Sequence, residues 1–346
     1  MTRVTVLAGL DPATHRAHPL HAPERLWSEK NCYTDLWIEL LHALGMDPTA
    51  MLPFVLGVDF QGDQWTFFKP PSSDLRRLYG IEVQELTVWR PLLDHALEHL
   101  GAGRWLAVEV DAFWLPDTVG TDYRQAHAKT TVVLNHLDTA ARCLGYFHNA
   151  GYFMLDGEDF DALFGPTPLP PFAEFIAVHP HGSDAPMSLR TLSRSLCAEH
   201  LAWRPRANPV RRFGERLARD LPLLQEAGMP TYHRWAFAGI RQLGAAAELA
   251  ALYLGWLHPD APPGVAITAF GQLALNSKAL LLKTARAVHS GRTLDAGTLL
   301  EAMAADWEAA IEDLAGRAET EALEFLSRRV ADSLRAGTRE FRSGQA

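Results

Sequence analysis

The run "TTVVLNHLDTAARCLGYFHNAGYFML", Thr130 to Leu155, decides how the amino-terminal half of this chain is read. Two apolar stretches rich in β-branched and aromatic residues flank a polar patch from Asp138 to Arg142, which predicts consecutive antiparallel strands joined by a turn. Upstream, "RWLAVEVDAFWL" and "LPFVLGVDF" have the same texture, so residues from Val55 to about Phe164 are expected to be rich in strands. Earlier still, "EKNCYTDLWIELLHALG" (Glu29 to Gly45) sets Trp37, Leu40, Leu41 and Leu44 at i, i+3, i+4 and i+7. That is one apolar helix face, beginning at Cys32 and stopped by Gly45.

Downstream, "FGPTPLPPF" gathers Pro166, Pro168, Pro170 and Pro171 into a segment that can continue neither helix nor sheet. After Ser188 the pattern turns helical. Asn208 and Pro209 read as a cap and first helical residue, Val210, Phe213, Leu217, Leu221 and Leu224 form a stripe, and Gly228 ends it. Similar patterns cover about 232–257, 266–288, 293–314 and 318–334. The expected organisation is an α+β domain over residues 1–175, a proline-rich connector over 165–187, and an all-α domain over 188–346.

With 346 residues, 48% of them hydrophobic, the chain can bury a substantial core. Its 32 basic and 41 acidic residues give a net charge of −9, which argues against nucleic-acid binding by overall electrostatics. Cys32, Cys143 and Cys197 are odd in number and scattered, as in a reducing compartment rather than a disulfide framework. The first apolar run is short and broken at Asp11–Pro12, and the apolar stretch "GAAAELAALYLGWL" is too short to cross a bilayer. A cytoplasmic protein with no membrane partner is expected.

Cys32 has two readings: a small apolar residue closing a core, or a nucleophile whose thiolate is stabilised by the unpaired N–H groups of a helix start. Papain-type chemistry needs a thiol there, a histidine before a later strand to take its proton, and an Asn or Asp to orient the imidazole. His127 in "YRQAHAKTTVVL" and Asn149 in "LGYFHNAGYF" follow Cys32 in that order, on a hairpin that would bring both to one edge. The same order also arises by chance. Asn31, Gln64 and Trp65 are candidate pocket residues, Trp65 being equally a core aromatic, and the Cys32 N–H is a candidate oxyanion donor. Asp117, Asp122 and Tyr123, in the loop before His127, are either substrate contacts or plain loop polarity.

His15, His18 and His21 recur every third residue, but Pro19 and Pro23 break any helix that would align them for zinc. Asp59 and Asp63 lack the further ligands of a calcium loop. No bound metal or resident cofactor is expected. Lys278 and Lys283 read as bases snorkelling from a helix.

The series "NCYTDLWIELLHALGMDP", "FVLGVDFQGDQWTFFK", "EVDAFWLPDT", "TDYRQAHAKTTVVLNHLD" and "LGYFHNAGYFMLDGEDF" resembles a bacterial conserved domain family of unknown function over most of the chain. More distantly, residues 25 to 160 resemble the amino-terminal domain of the butirosin biosynthesis protein H family. That resemblance implies a papain-like cysteine-protease fold and an acyltransferase. Its donor would be an acyl or aminoacyl group on the phosphopantetheine arm of a carrier protein, and its acceptor a small-molecule amine. The family pattern maps onto Cys32, Asp111, His127 and Asn149; asparagine stands where the family has an acid, leaving Asp111 as a rival orienter of His127. Between Arg190 and Arg219, eight arginines face only Glu199 and Glu215. Arg190, Arg194, Arg211 and Arg212 are therefore candidates for steering an acidic carrier, against the alternative of a solvated helix face. The rival functions are a peptidase or amidase using water, and a non-catalytic module binding a carrier arm or peptide.

Overall fold

A computed structural model describes residues 2–166, 170–179, 187–260, 262 and 264–317. The amino-terminal half is one antiparallel sheet of seven strands with helices on both faces. In chain order it contains β1 (Arg3–Thr5), α1 (Cys32–Ala43), the two-residue strands β2 (Phe60–Gln61) and β3 (Gln64–Trp65), α2 (Ser72–Tyr79), β4 (Ile81–Glu85), α3 (Leu92–Gly101) and β5 (Trp105–Asp111). There follow β6 (Lys129–Asp138), β7 (Cys143–His148), β8 (Gly151–Asp156), α4 (Gly157–Leu163) and β9 (Ala173–Val178). The strand order is β4-β9-β5-β6-β7-β8, with β1 pairing the far end of β6, and β2 and β3 form a separate ribbon. The Thr130–Leu155 run is thus strands β6, β7 and β8, with Asp138 taking the turn by accepting from the Ala140 and Ala141 amides.

Two expectations fail here, for identifiable reasons. Most of "LPFVLGVDF" is not a strand: residues 52–57 belong to a 3-10 segment, Pro48–Gly57, opened by Asp47 and carrying Pro48 and Pro53, and only its last residue enters β2. It is apolar throughout because it is buried between α1 and the helical half, and a continuous apolar run does not distinguish strand from buried helix. The segment expected to be a connector contains β9, inserted between the edge strand β4 and β5. The prolines precede the strand and leave its own amides free to pair.

The register orders one row across the sheet: Glu174 on β9, Ala107 on β5, Val133 on β6, Phe147 on β7 and Tyr152 on β8. Helix α1 crosses this row. At one end the Tyr33 hydroxyl donates to Glu174 at 2.7 Å; at the other, His15, bonded to Glu39, packs against the rings of Phe147 and Tyr152. Because side chains alternate across a strand, Leu106, Val108, Val132, Leu134 and Tyr146 face the opposite way, into a second core under α3 and α4.

The carboxyl-terminal half is helical: α5 (Leu189–Ala202), α6 (Pro209–Ala236), α7 (Gln242–Leu257), α8 (Val265–Ser290) and α9 (297–317). Asn208 caps α6, and Gly228 takes φ 75° and ψ −175°, a kink that only glycine adopts freely. A π turn, Phe237–Arg241, joins α6 to α7. The core under α1 continues into α5, α7 and α8, so the two halves share one hydrophobic interior. Buried polar links cross the seam: Ser193 donates to the Ala50 carbonyl, and Glu248 accepts from the Leu26 and Trp27 amides. Helix α8 is long and apolar enough to cross a membrane by length and composition, yet it packs against α6 and α7. The expected helix over 318–334 lies outside the described residues.

Candidate functional site

Asp111 ends β5 and Lys129 opens β6, and the two are directly opposite in register. The intervening loop is tightly pinned. Ala112 donates to the Ala128 carbonyl, Thr118 donates to the Ala112 and Leu115 carbonyls, and Tyr123 and Arg124 both reach Asp159. This path delivers His127 onto the face of Phe113, the rings 4.5 Å apart and 13° from parallel. Its Nδ1 lies 2.6 Å from Asp111 Oδ2, while Asp111 Oδ1 accepts the Phe113 amide. The imidazole is therefore fixed at one nitrogen and over one face. Its side chain remains 71% exposed, at the edge of a cleft of about 660 Å³ that Trp114, Lys129 and Phe172 also line.

Cys32 is the first residue of α1. Asn31 caps the helix by accepting the Thr34 amide at 2.9 Å and is itself anchored by donating to the Phe68 carbonyl. The cap leaves the first N–H groups of the helix pointing outward, the positive end at which a thiolate is favoured. The Cys32 side chain is half-buried, and no hydrogen bond joins it to His127 or to any other described residue.

Among the described residues, three histidines have Nδ1 against a carboxylate: His21 on Glu39 at 2.6 Å, His127 on Asp111 and His148 on Asp117 at 2.6 Å. They differ at the second nitrogen. His21 Nε2 is bonded to Asp35, and His148 Nε2 meets the Thr130 hydroxyl; both rings are buried. His127 Nε2 has no bonded partner among the described residues. A carboxylate on Nδ1 selects the tautomer with its lone pair on Nε2, so His127 alone of these three presents a free basic nitrogen to solvent.

The other expected site residues are spent elsewhere. Asn149 sits in the β7–β8 turn with φ 44°, at the same end of the sheet as His127, but makes no hydrogen bond to it; Asp111 is the orienting residue. Asp117 accepts from Tyr146 and faces His148, both buried, and Tyr123 donates to Asp159. Asn31 is a helix cap rather than a pocket wall. Trp65 is core, packed on Phe60 and Phe213, while Gln64 is exposed on the small ribbon. Of the arginines, Arg211 pairs with Glu301 and Glu308, Arg212 with Asp59, and Arg190 lies over the Trp256 ring. Arg194 is exposed. Two of the eight arginines, Arg211 and Arg212, are thus paired by acids from other segments, and Arg216 pairs with Asp220 on its own helix.

Sequence reading missed what the histidine repeat does. Glu39, buried, accepts from His15 Nε2 at 2.8 Å, from the His18 amide at 2.9 Å and from His21. Burial works to raise the Glu39 pKa, but the bonds from His15 and His21 hold it at about 2. Burial opposes charge on His21 as well, and its bonds to Asp35 and Glu39 nevertheless raise its pKa. The cluster ties the segment before Cys32 to α1. Two acids four residues apart on one face of α1, Asp35 and Glu39, were the available signal.

No curated protein matches the chain. The family description DUF1839 N-terminal domain matches residues 16–178, ending on the last residue of β9, and DUF1839 C-terminal domain matches residues 187–316. With both of its domains present in order, the chain belongs to the DUF1839 family.

Proposed function

We propose that the protein is a cysteine-dependent acyltransferase of papain-like architecture, with Cys32 as nucleophile, His127 as base and Asp111 as the residue that orients it. The observation that carries this reading is the half-committed His127: Nδ1 held by Asp111 at 2.6 Å, Nε2 without a bonded partner among the described residues. The thiol at a capped helix start, laid across an antiparallel sheet, supports it further. Catalytic pairs are often loose before substrate binds, and the reaction requires His127 Nε2 to engage Cys32 Sγ at that stage.

In the proposed reaction the Cys32 proton passes to His127 and the thiolate adds to the carbonyl of a carrier thioester. The C–S bond to the phosphopantetheine arm breaks, and that thiol departs with the proton from His127. An amine then attacks the acyl-Cys32 thioester, returns a proton through His127 and releases an amide and free Cys32. A water acceptor would give the peptidase or amidase outcome.

Intact-mass spectrometry after incubation with an acylated carrier protein tests the reading. It expects one acyl adduct on the wild type, none on Cys32→Ala, and discharge of the adduct by amines faster than by water. Discharge by water alone points to the hydrolase. No adduct, with iodoacetamide labelling Cys32 no faster in the wild type than in His127→Ala, leaves a non-catalytic binding module.

A further inference from the structure

A second cleft, of about 680 Å³, opens at the seam between residues 26–29, the end of α6 with the π turn after it, and α8. Its volume is in the usual range for small-molecule sites, and seams between halves are where such sites concentrate. Glu29, shortly before Cys32, and Thr121, in the loop before His127, both reach its rim.

The wall is apolar and partly uncovered. Leu26, Phe237 and Leu282 are 37%, 44% and 54% exposed, and they stand together beside Trp27 rather than singly. Scattered exposed hydrophobics are ordinary; a group of them around one concavity is informative. The backbone devices that build this wall are local: the Gly228 kink redirects α6, and the π turn brings both Phe237 and Arg241 to the cleft.

The charge beside the wall is unbalanced. The Arg241 guanidinium donates to the Glu29 carbonyl at 3.0 Å and lies 3.6 Å from its carboxylate. Lys278 Nζ lies 4.5 Å from the Trp27 ring centroid and holds one long bond, 3.3 Å, to the Leu26 carbonyl. No carboxylate pairs with Lys278 among the described residues. Among the residues lining the cleft two cations stand against one carboxylate, Glu248 behind the wall being taken up by the Leu26 and Trp27 amides, and this edge of an aromatic and aliphatic surface complements a ligand with the opposite arrangement.

We infer that this cleft binds a small amphipathic anion: an apolar or aromatic body lying against Trp27, Phe237 and Leu282, with one carboxylate or phosphate on Lys278. The inference is independent of the thiol chemistry, since binding alone reads it.

The full chain is titrated with anilinonaphthalene sulfonate as the probe, followed by fluorescence and calorimetric stoichiometry. Competition then uses indole-3-acetate as an aromatic carboxylate, 4′-phosphopantetheine as a phosphate on a flexible arm, and tryptamine as a cationic control. One site per chain is expected, displaced by at least one of the two anions and not by tryptamine; which anion displaces it identifies the head group. Lys278→Met, which keeps the stem over Trp27, weakens binding about tenfold, the loss of one charge-assisted contact. Leu282→Asp, at an exposed position, abolishes displaceable binding while leaving the melting temperature unchanged. Failure of the probe to bind, multiple sites indifferent to both substitutions, or equal displacement by tryptamine would overturn the inference.

Discussion

The cluster at His21 and the pair at His127 are made of the same groups, yet one is a fastener and the other is fit for chemistry. At His21 both ring nitrogens face carboxylates, Glu39 and Asp35, inside the protein, so the proton that makes it an imidazolium is held from both sides. At His127 one nitrogen is fixed and the other is open to solvent. His148, bonded to Asp117 and Thr130 and buried, sides with His21. A histidine–carboxylate contact at 2.6 Å is therefore no mark of catalysis by itself; the free second nitrogen is what separates the two kinds.

If that contrast is right, the largest loss of stability follows from Glu39. Glu39→Ala removes the shared acceptor of His15, the His18 amide and His21, leaving buried donors unpaired and one of the two carboxylates facing His21 gone. The expected cost is about 3–5 kcal/mol in urea unfolding, the range for breaking a buried ion pair. A cost below about 1 kcal/mol would mean that water replaces the carboxylate and the cluster is no fastener. Next comes His148→Ala, which leaves buried Asp117 with Tyr146 as its remaining side-chain donor and orphans the Thr130 hydroxyl. About 2 kcal/mol is expected by the same measurement.

What the amino-acid sequence disclosed of this arrangement follows the same divide. Helix α1 and the β6–β7–β8 meander were legible because one apolar face and dense β-branched runs are periodic signals that tertiary context does not reverse. Strand β9 was hidden by the prolines beside it, and Pro48–Gly57 was misread because burial on all sides erases periodicity. At the site, the Cys–His order could be read, but the orienting residue could not. The register brings both Asp111 and Asn149 to the end of the sheet where His127 sits, and only the structure shows Asp111 bonded to the ring and Asn149, at positive φ, in the turn. The fastener went unread because its histidines reach Glu39 through an irregular segment whose path no spacing rule describes.

The fastener should also have its own pH signature. His21, raised by Asp35 and Glu39 against its burial, contributes stability that is fully present below its unfolded pKa of about 6.5 and is lost as pH rises through its higher folded value. His18 has the opposite sign: burial, helped by neighbouring His42, lowers it to about 4, so the fold loses stability as pH falls from about 6.5 toward 4. Glu39, held near 2, adds a further loss only below its ordinary value of about 4.3. Lys30 and Asp47 also face this region, Lys30 opposing charge on His21 and Asp47 favouring it on His18. The urea midpoint should peak near pH 6.5, and His21→Gln should flatten the alkaline side while sparing the acid side. A midpoint flat from pH 5 to 8 would detach these histidines from stability.

The smallest expected change in stability is the one that tests the contrast most directly. His127→Ala removes a ring that is mostly in solvent and whose single hydrogen bond is to a half-exposed carboxylate, so its unfolding free energy should stay within about 0.5 kcal/mol of wild type. Loss of a positioned general base, by contrast, should slow modification of Cys32 by an acyl donor about 10²–10⁴-fold. Asp111→Asn should lie between, because an amide can still hold the ring but offers Nδ1 either of two partners. A variant that unfolds readily without losing reactivity would place His127 with His21 and His148, as a residue that holds the chain rather than one that moves a proton.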